Sequence, residues 1–328
     1  MLSRVAEAIY WMSRYLERAE NVARMMDTQL QMMLDLPPMR EDPNAWMPLV
    51  SITGDEAAFR EKYDRPSQEN VMFFHTFDTG YPNSVISCLT AARENARSIR
   101  EIIPSEMWEQ INRLYLKVQD TEAGTLHRHA HLFYTDMKMA CHLILGIFYA
   151  TMSRNEAWQF AEMGRFLERA DKTSRILDVK YFLLLPRLDY VGSSWDSVQW
   201  STLLKSNSAS EMYRKKYHVI DPKSIVEFLI FDREFPRSVQ FCLHHGREAL
   251  FRITGHREDS IQNELERQFG RLCAQLAFSN VNEVMGFGLH EFLDRLQSDL
   301  NRLGEAIFEE FFAVKPTTHL QQHRAAFL

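Results

Sequence analysis

Residues 12–27, MSRYLERAENVARMMD, return 151 positions later as residues 163–178, MGRFLERADKTSRILD. Met12, Arg14, Leu16, Glu17, Arg18, Ala19, Arg24 and Asp27 are each matched by the same residue, eight identities in sixteen positions. Around the first copy, Leu2, Val5, Ile9, Met12, Leu16, Ala19, Ala23, Met26, Leu30 and Met33 recur at spacings of three and four, which aligns them along one stripe of a long helix. Pro37 and Pro38 cannot continue that helix, so it is expected to end near Leu36.

The repetition extends outward. Between residues 46–94 and the positions 154 further on, fifteen residues are identical, among them Trp46 and Trp200, Lys62 and Lys216, Asp78 and Asp232, Ser84 and Ser238, Cys88 and Cys242, and Arg93 and Arg247. Because the two blocks are offset by nearly the same distance, the order of elements is repeated and not one motif alone. The expected fold is therefore all-α: a helical bundle of two diverged copies, residues 1–154 and 155–313, related by a pseudo-twofold axis within a single domain. Residues 314–328 read as a flexible tail. Each copy reads as a long helix, a proline- or serine-rich loop, short helices, and a helix opened by Pro82 or Pro236 in its first turn. A long helix closes each copy, about 120–154 in the first and 288–312 in the second. No segment shows the sustained alternation of a strand.

Of 328 residues, 45% are hydrophobic and 25% charged, enough apolar material for one large core or two coupled ones. Lysine and arginine total 38 against 44 acidic residues, a net charge of −6 with no basic patch, which argues against a nucleic-acid partner. Cys88, Cys141, Cys242 and Cys273 lack metal-ligand spacing and read as reduced core residues of a cytoplasmic protein. Arg4, Glu7, Arg14 and Glu17 interrupt the start where a signal peptide needs an apolar run. The longest nearly uncharged stretch, Met139 to Met152, is about 14 residues, short of the roughly 20 that cross a bilayer, so no membrane span is expected.

The paired segments YLERAENVARMMD and FLERADKTSRILD, each built around Glu-Arg, resemble the bacterial alpha-E domain. So do the opening Leu2-Ser3-Arg4-Val5-Ala6-Glu7, the Tyr10-Trp11 pair, Trp200-x-x-Leu203-Leu204, and Pro236-Arg237-Ser238 following Phe228-Leu229-Ile230. The resemblance covers the whole chain. It implies a component of a system whose other members are a circularly permuted ATP-grasp amidoligase and a transglutaminase-like protein, and hence ATP-driven peptide or amide bond formation. It does not imply which component performs the chemistry.

Glu17, Glu20, Arg24 and Asp27 form a polar stripe beside the apolar one, and Glu168, Asp171, Arg175 and Asp178 repeat it. One reading is a set of intrahelical ion pairs, Glu20 with Arg24 and Asp171 with Arg175. A second sets the two stripes face to face, with Arg14, Arg18, Arg165 and Arg169 neutralising carboxylates of the opposite copy in a buried network. A third makes the same residues a pocket for a charged ligand such as a peptide terminus. A metal site is disfavoured because no histidine falls in either stripe, and His127, His129 and His131 alternate in a way that scatters them around a helix. Tyr10, Trp11, Tyr15, Trp158, Phe160 and Phe166 have core spacing. Ser84 and Ser238 read as first-turn helix residues without a neighbouring histidine to activate them. With 12 glycines and no Gly-x-x-x-x-Gly-Lys, nothing cradles a nucleotide, so no cofactor is expected. Two functions from different classes fit: a non-catalytic helical partner of the ligase, or an enzyme using Glu17 or Glu168 as general base.

Overall fold

The computed structural model describes residues 1–35, 44–121, 123–184, 194–257 and 259–313. Among these residues the chain is all-helical, with fifteen α-helices, a closing π-helix and no strand. The expected tail, the Pro37-Pro38 stop and the His127 side chain lie outside them.

The repeated stretches form the two long central helices, α1 (Ser3–Asp35) and α8 (Glu156–Leu184), which pack against each other. The apolar stripe of α1 predicts one buried face, yet every residue from Ala19 to Gln29 is buried, as is every residue from Ala157 to Ser174 of α8. Neighbours on all sides account for this. Helices α5 (Val85–Ser98) and α7 (Ala123–Thr151) cover α1, while α12 (Val239–Thr254) and α15 (Leu289–Ile307) cover α8. Shorter helices cross over: α2 (Met47–Thr53) packs on α8, and α9 (Ser194–Ser206) packs on α1. Burying a polar stripe is unfavourable unless every charge finds a partner, so the packing sets the terms for the site.

Helices α1 and α8 pack tightly at Gly164, where an added Cβ would lie 2.5 Å from the Tyr10 carbonyl oxygen. The π-helix, Phe308–Phe312, closes this end by setting Phe312 against Tyr10 and Phe311 against Phe160, with centroids 5.4 and 5.1 Å apart.

Contacts between repeated residues recur as well. Lys62 Nζ donates to Asp78 at 2.9 Å and Lys216 Nζ to Asp232 at 2.7 Å. Cys88 and Cys242 each direct a thiol to the carbonyl of Pro82 and Pro236 respectively. Burial pushes both thiols up to about 12, so they are inert apolar groups at neutral pH.

Two expectations need correction here. Pro82 and Pro236 do not lie in a first helical turn; they precede α5 and α12 by three residues. Ser84 and Ser238 are the N-caps, accepting from the amides of Ser87 at 3.2 Å and Phe241 at 3.1 Å. The proline bends the chain into the cap, and the hydroxyl satisfies an amide that has no partner in the helix. Ser238→Ala should lower stability by about 1 kcal/mol, as read by urea unfolding; no change would mean that the cap is replaceable by water.

Candidate functional site

The site grows from the contact between α1 and α8, where each Glu-Arg dipeptide reaches across to the other helix. Arg18 donates to both oxygens of Glu168, from Nε at 2.6 Å and Nη2 at 3.0 Å, and Arg14 Nε adds a bond at 2.9 Å. Reciprocally, Arg169 donates to both oxygens of Glu17 at 2.8 and 2.7 Å. A fork of this kind fixes direction as well as distance.

Glu17 also accepts from Arg237 Nη1 at 2.9 Å and from Asn21 Nδ2 at 3.2 Å. Arg237 continues to Glu20, donating from Nη2 at 2.9 Å, and Glu20 in turn holds Arg24. Arg24 reaches the Ser206 carbonyl of α9 at 2.7 Å, so one chain of bonds ties α1, α8, α9 and the start of α12 together. On the other side Lys172 stands 3.8 Å from Glu168 and 3.2 Å from Asp171, which Arg175 Nε also meets at 2.8 Å.

Arg165 does not take the place expected of it. It pairs within its own helix with Glu162, at 2.7 and 2.8 Å, donates to the Tyr149 hydroxyl at 2.6 Å, and lies 4.0 Å above the Phe166 ring. Glu162 supplies a nearer carboxylate three residues back, so no partner on α1 is needed. The outer ends of both stripes turn away from the centre toward the closing helices. Asp27 is met by His131 and Lys138 of α7, and Asp178 by His290 at 2.8 Å and Gln297 at 3.2 Å of α15. His131 therefore hydrogen-bonds Asp27, while His129 sits at a non-helical kink in α7. Glu20 with Arg24 and Asp171 with Arg175 are the intrahelical pairs that their spacing predicts.

Arg237, Asn21, Lys172 and His290 join the network although none belongs to the repeated polar stripes, and Arg237 enters the sequence reading only through the Pro236-Arg237-Ser238 match. Internal identity between the copies was the filter, and these positions differ: Asn83 stands 154 positions before Arg237, and Asn21 stands 151 before Lys172. Asn83 nonetheless binds the same motif, accepting from Arg18 Nη1 at 2.6 Å.

Electrostatics follow from burial and pairing. Glu168 is fully buried and Glu17 is 6% exposed. Burial alone would raise both carboxyls, but Arg169 and Arg237 overcome it and hold Glu17 down at about 2. Arg18, Arg14 and Lys172 hold Glu168 well below the usual carboxylate range against the same burial. Glu20 is lowered likewise, again against burial, by Arg237 and Arg24. Arg24 falls to about 10, through burial and the nearby Arg237.

The depressed carboxyls fix the sign of the acid response. Their stabilisation is complete above about pH 4.5, where the unfolded chain is already ionised, and is lost as pH falls through the folded values toward about 2. Urea unfolding from pH 7 to 3 should show a plateau down to about pH 5 and then a steep fall. A flat profile to pH 3 would contradict the pairing.

Two cavities flank the contact between the central helices. One, of about 50 Å³, has walls from Glu17, Glu20, Glu162 and the three arginines 165, 169 and 237. The other, of about 260 Å³, is walled by Arg14, Arg18, Lys172, Arg175 and Asp171. No helix among the described residues is long and apolar enough to cross a membrane.

The model of the Alpha-E family, described as a predicted alpha-helical domain with a conserved ER motif, matches residues 1–312. Uncharacterized proteins of Mycobacterium bovis and Mycobacterium tuberculosis are 21% identical over 318 residues, covering 91% of this chain and 35% of each relative. The chain thus spans about a third of the length of the curated relatives it matches. No solved structure matches it.

Proposed function

The chain belongs to the Alpha-E family, and we propose that it is a non-catalytic helical partner of a circularly permuted ATP-grasp amidoligase, acting beside a transglutaminase-like protein in peptide or amide bond formation. In this reading the two copies form one domain about an approximate twofold axis, and the Glu-Arg motifs lock that axis. The crossed pairs, Arg18 with Glu168 and Arg169 with Glu17, support it, as do the matching pairs Lys62 with Asp78 and Lys216 with Asp232.

One observation carries the non-catalytic assignment: each motif glutamate is held by at least two arginines and kept ionised far below neutrality. A carboxylate with a pKa of about 2 has little affinity for a substrate proton at pH 7, and its lone pairs are already committed. General-base work by Glu17 or Glu168 is disfavoured for that reason. A buried network of this sort serves register and rigidity, which suits a surface presented to an enzyme. The matched stretch fills only 35% of the curated relatives, which also fits a unit that works beside others.

The test is reconstitution. ATP-dependent amide formation by the purified ligase should rise at least about tenfold, a barrier change near 1.4 kcal/mol, when this chain is added, and the chain alone should form no product. Ligase turnover indifferent to the chain would sink the partner reading. Product formed by the chain alone would move the chemistry onto it.

A further inference from the structure

The two cavities beside the central helices differ in charge. Around the smaller one, Glu17, Glu20 and Glu162 face Arg165, Arg169 and Arg237, three of each sign. Around the larger one, Arg14, Arg18, Lys172 and Arg175 face Asp171 alone. Glu168, fully buried behind Arg14 and Arg18, offsets one more cation and leaves two positive charges, 4 − 2, or one, 4 − 3, when the neighbouring Asp55 is counted as well. Asp55 accepts from Asn83 Nδ2 at 3.4 Å but is not part of the cavity wall.

We propose that this cleft binds a phosphate monoester dianion. A positive excess draws a phosphate monoester, which carries about −1.5 to −2 at pH 7, more strongly than a singly charged carboxylate. Charge-assisted N–H donors suit phosphate oxygens, and Asn83, Asn301 and Thr53 add neutral polar groups to the wall. The cations are already in place. Arg18 is fixed by Glu168 and Asn83, Arg14 lies 4.9 Å over the Trp11 ring, and Arg175 is held by Asp171. Ordering them beforehand reduces the entropy lost on binding. A volume of about 260 Å³ accommodates one phosphoryl group with a small attached moiety. The site needs no ligase, so its test is separate from that of the partner assignment.

Calorimetric titration of the full chain with inorganic phosphate, phenyl phosphate and a phosphoserine tripeptide, with acetate as control, tests this. At least one phosphate should bind saturably with Kd between about 10 µM and 1 mM. Lys172→Gln and Arg175→Gln should each weaken binding by about tenfold. Asp171→Asn should tighten it by roughly threefold, a sign that damaged folding cannot produce. Preference for the tripeptide identifies a phosphorylated segment as the source, and preference for phenyl phosphate a small molecule; either supports the site. The proposal is overturned if no phosphate saturates by about 10 mM, if acetate binds as well, or if neither Lys172→Gln nor Arg175→Gln changes the affinity.

Discussion

Replacing Glu168 with glutamine should lower the unfolding free energy by about 3 to 5 kcal/mol, the range seen when one member of a buried ion pair is removed. The carboxylate has no exposure to solvent, so water cannot take its place. It receives two bonds from Arg18 and further contacts from Arg14, with Lys172 close by, and a neutral amide would leave these cations facing one another. Repulsion among them, and the cost of an uncompensated charge in a poorly solvated place, act in the same direction. Urea unfolding at pH 7 provides the measurement. A loss below about 0.5 kcal/mol, the size of an ordinary surface change, would mean that Glu168 is not in the environment described.

The second large effect is steric. Gly164→Ala places a methyl group 2.5 Å from the backbone oxygen of Tyr10, which no side-chain rotation can relieve. Helices α1 and α8 must separate, and overpacking of this kind costs about 2 to 3 kcal/mol. The gain of about 1 kcal/mol that alanine normally brings to a helix interior is then overwhelmed. Gly146, inside α7 and with nothing within 4 Å of its added Cβ, supplies the control. Gly146→Ala should raise stability by up to about 1 kcal/mol. Thermal unfolding of both variants should move in opposite directions; equal shifts would contradict the close approach at Gly164.

The all-helical fold could be read in the sequence because periodicity and duplication agree. The stripe from Val5 to Met33 marks one long helix, and the repeat at 163–178 marks its equivalent. The sequence left open whether the polar stripe faces solvent. Glu17 and Glu20 have the same residue types in an exposed ion pair as in a buried network, and only the helices packed over them decide between the two. The role of Arg237 in the network is hidden for a related reason. Its counterpart is Asn83, so the two copies solve the same problem with different donors, an arginine for Glu17 and an amide for Arg18. Arg165 misled in the opposite sense: it is identical to Arg14 between the copies, yet Glu162, which occupies the place of Trp11, captures it locally. The cationic cleft arises from these departures, since Lys172 stands where the first copy has Asn21.

Crossed pairing of the two Glu-Arg motifs joins the polar stripes of α1 and α8, and a double-mutant cycle on Glu17 and Arg169 measures that pairing most directly. The chemical unfolding of Glu17→Gln, Arg169→Gln and the double variant should be followed at pH 7. Each single change should cost about 2 to 4 kcal/mol, and the double should cost less than their sum by about 2 kcal/mol, because the second change removes a partner already lost. Costs that add to within about 0.5 kcal/mol would contradict a network shared by these helices.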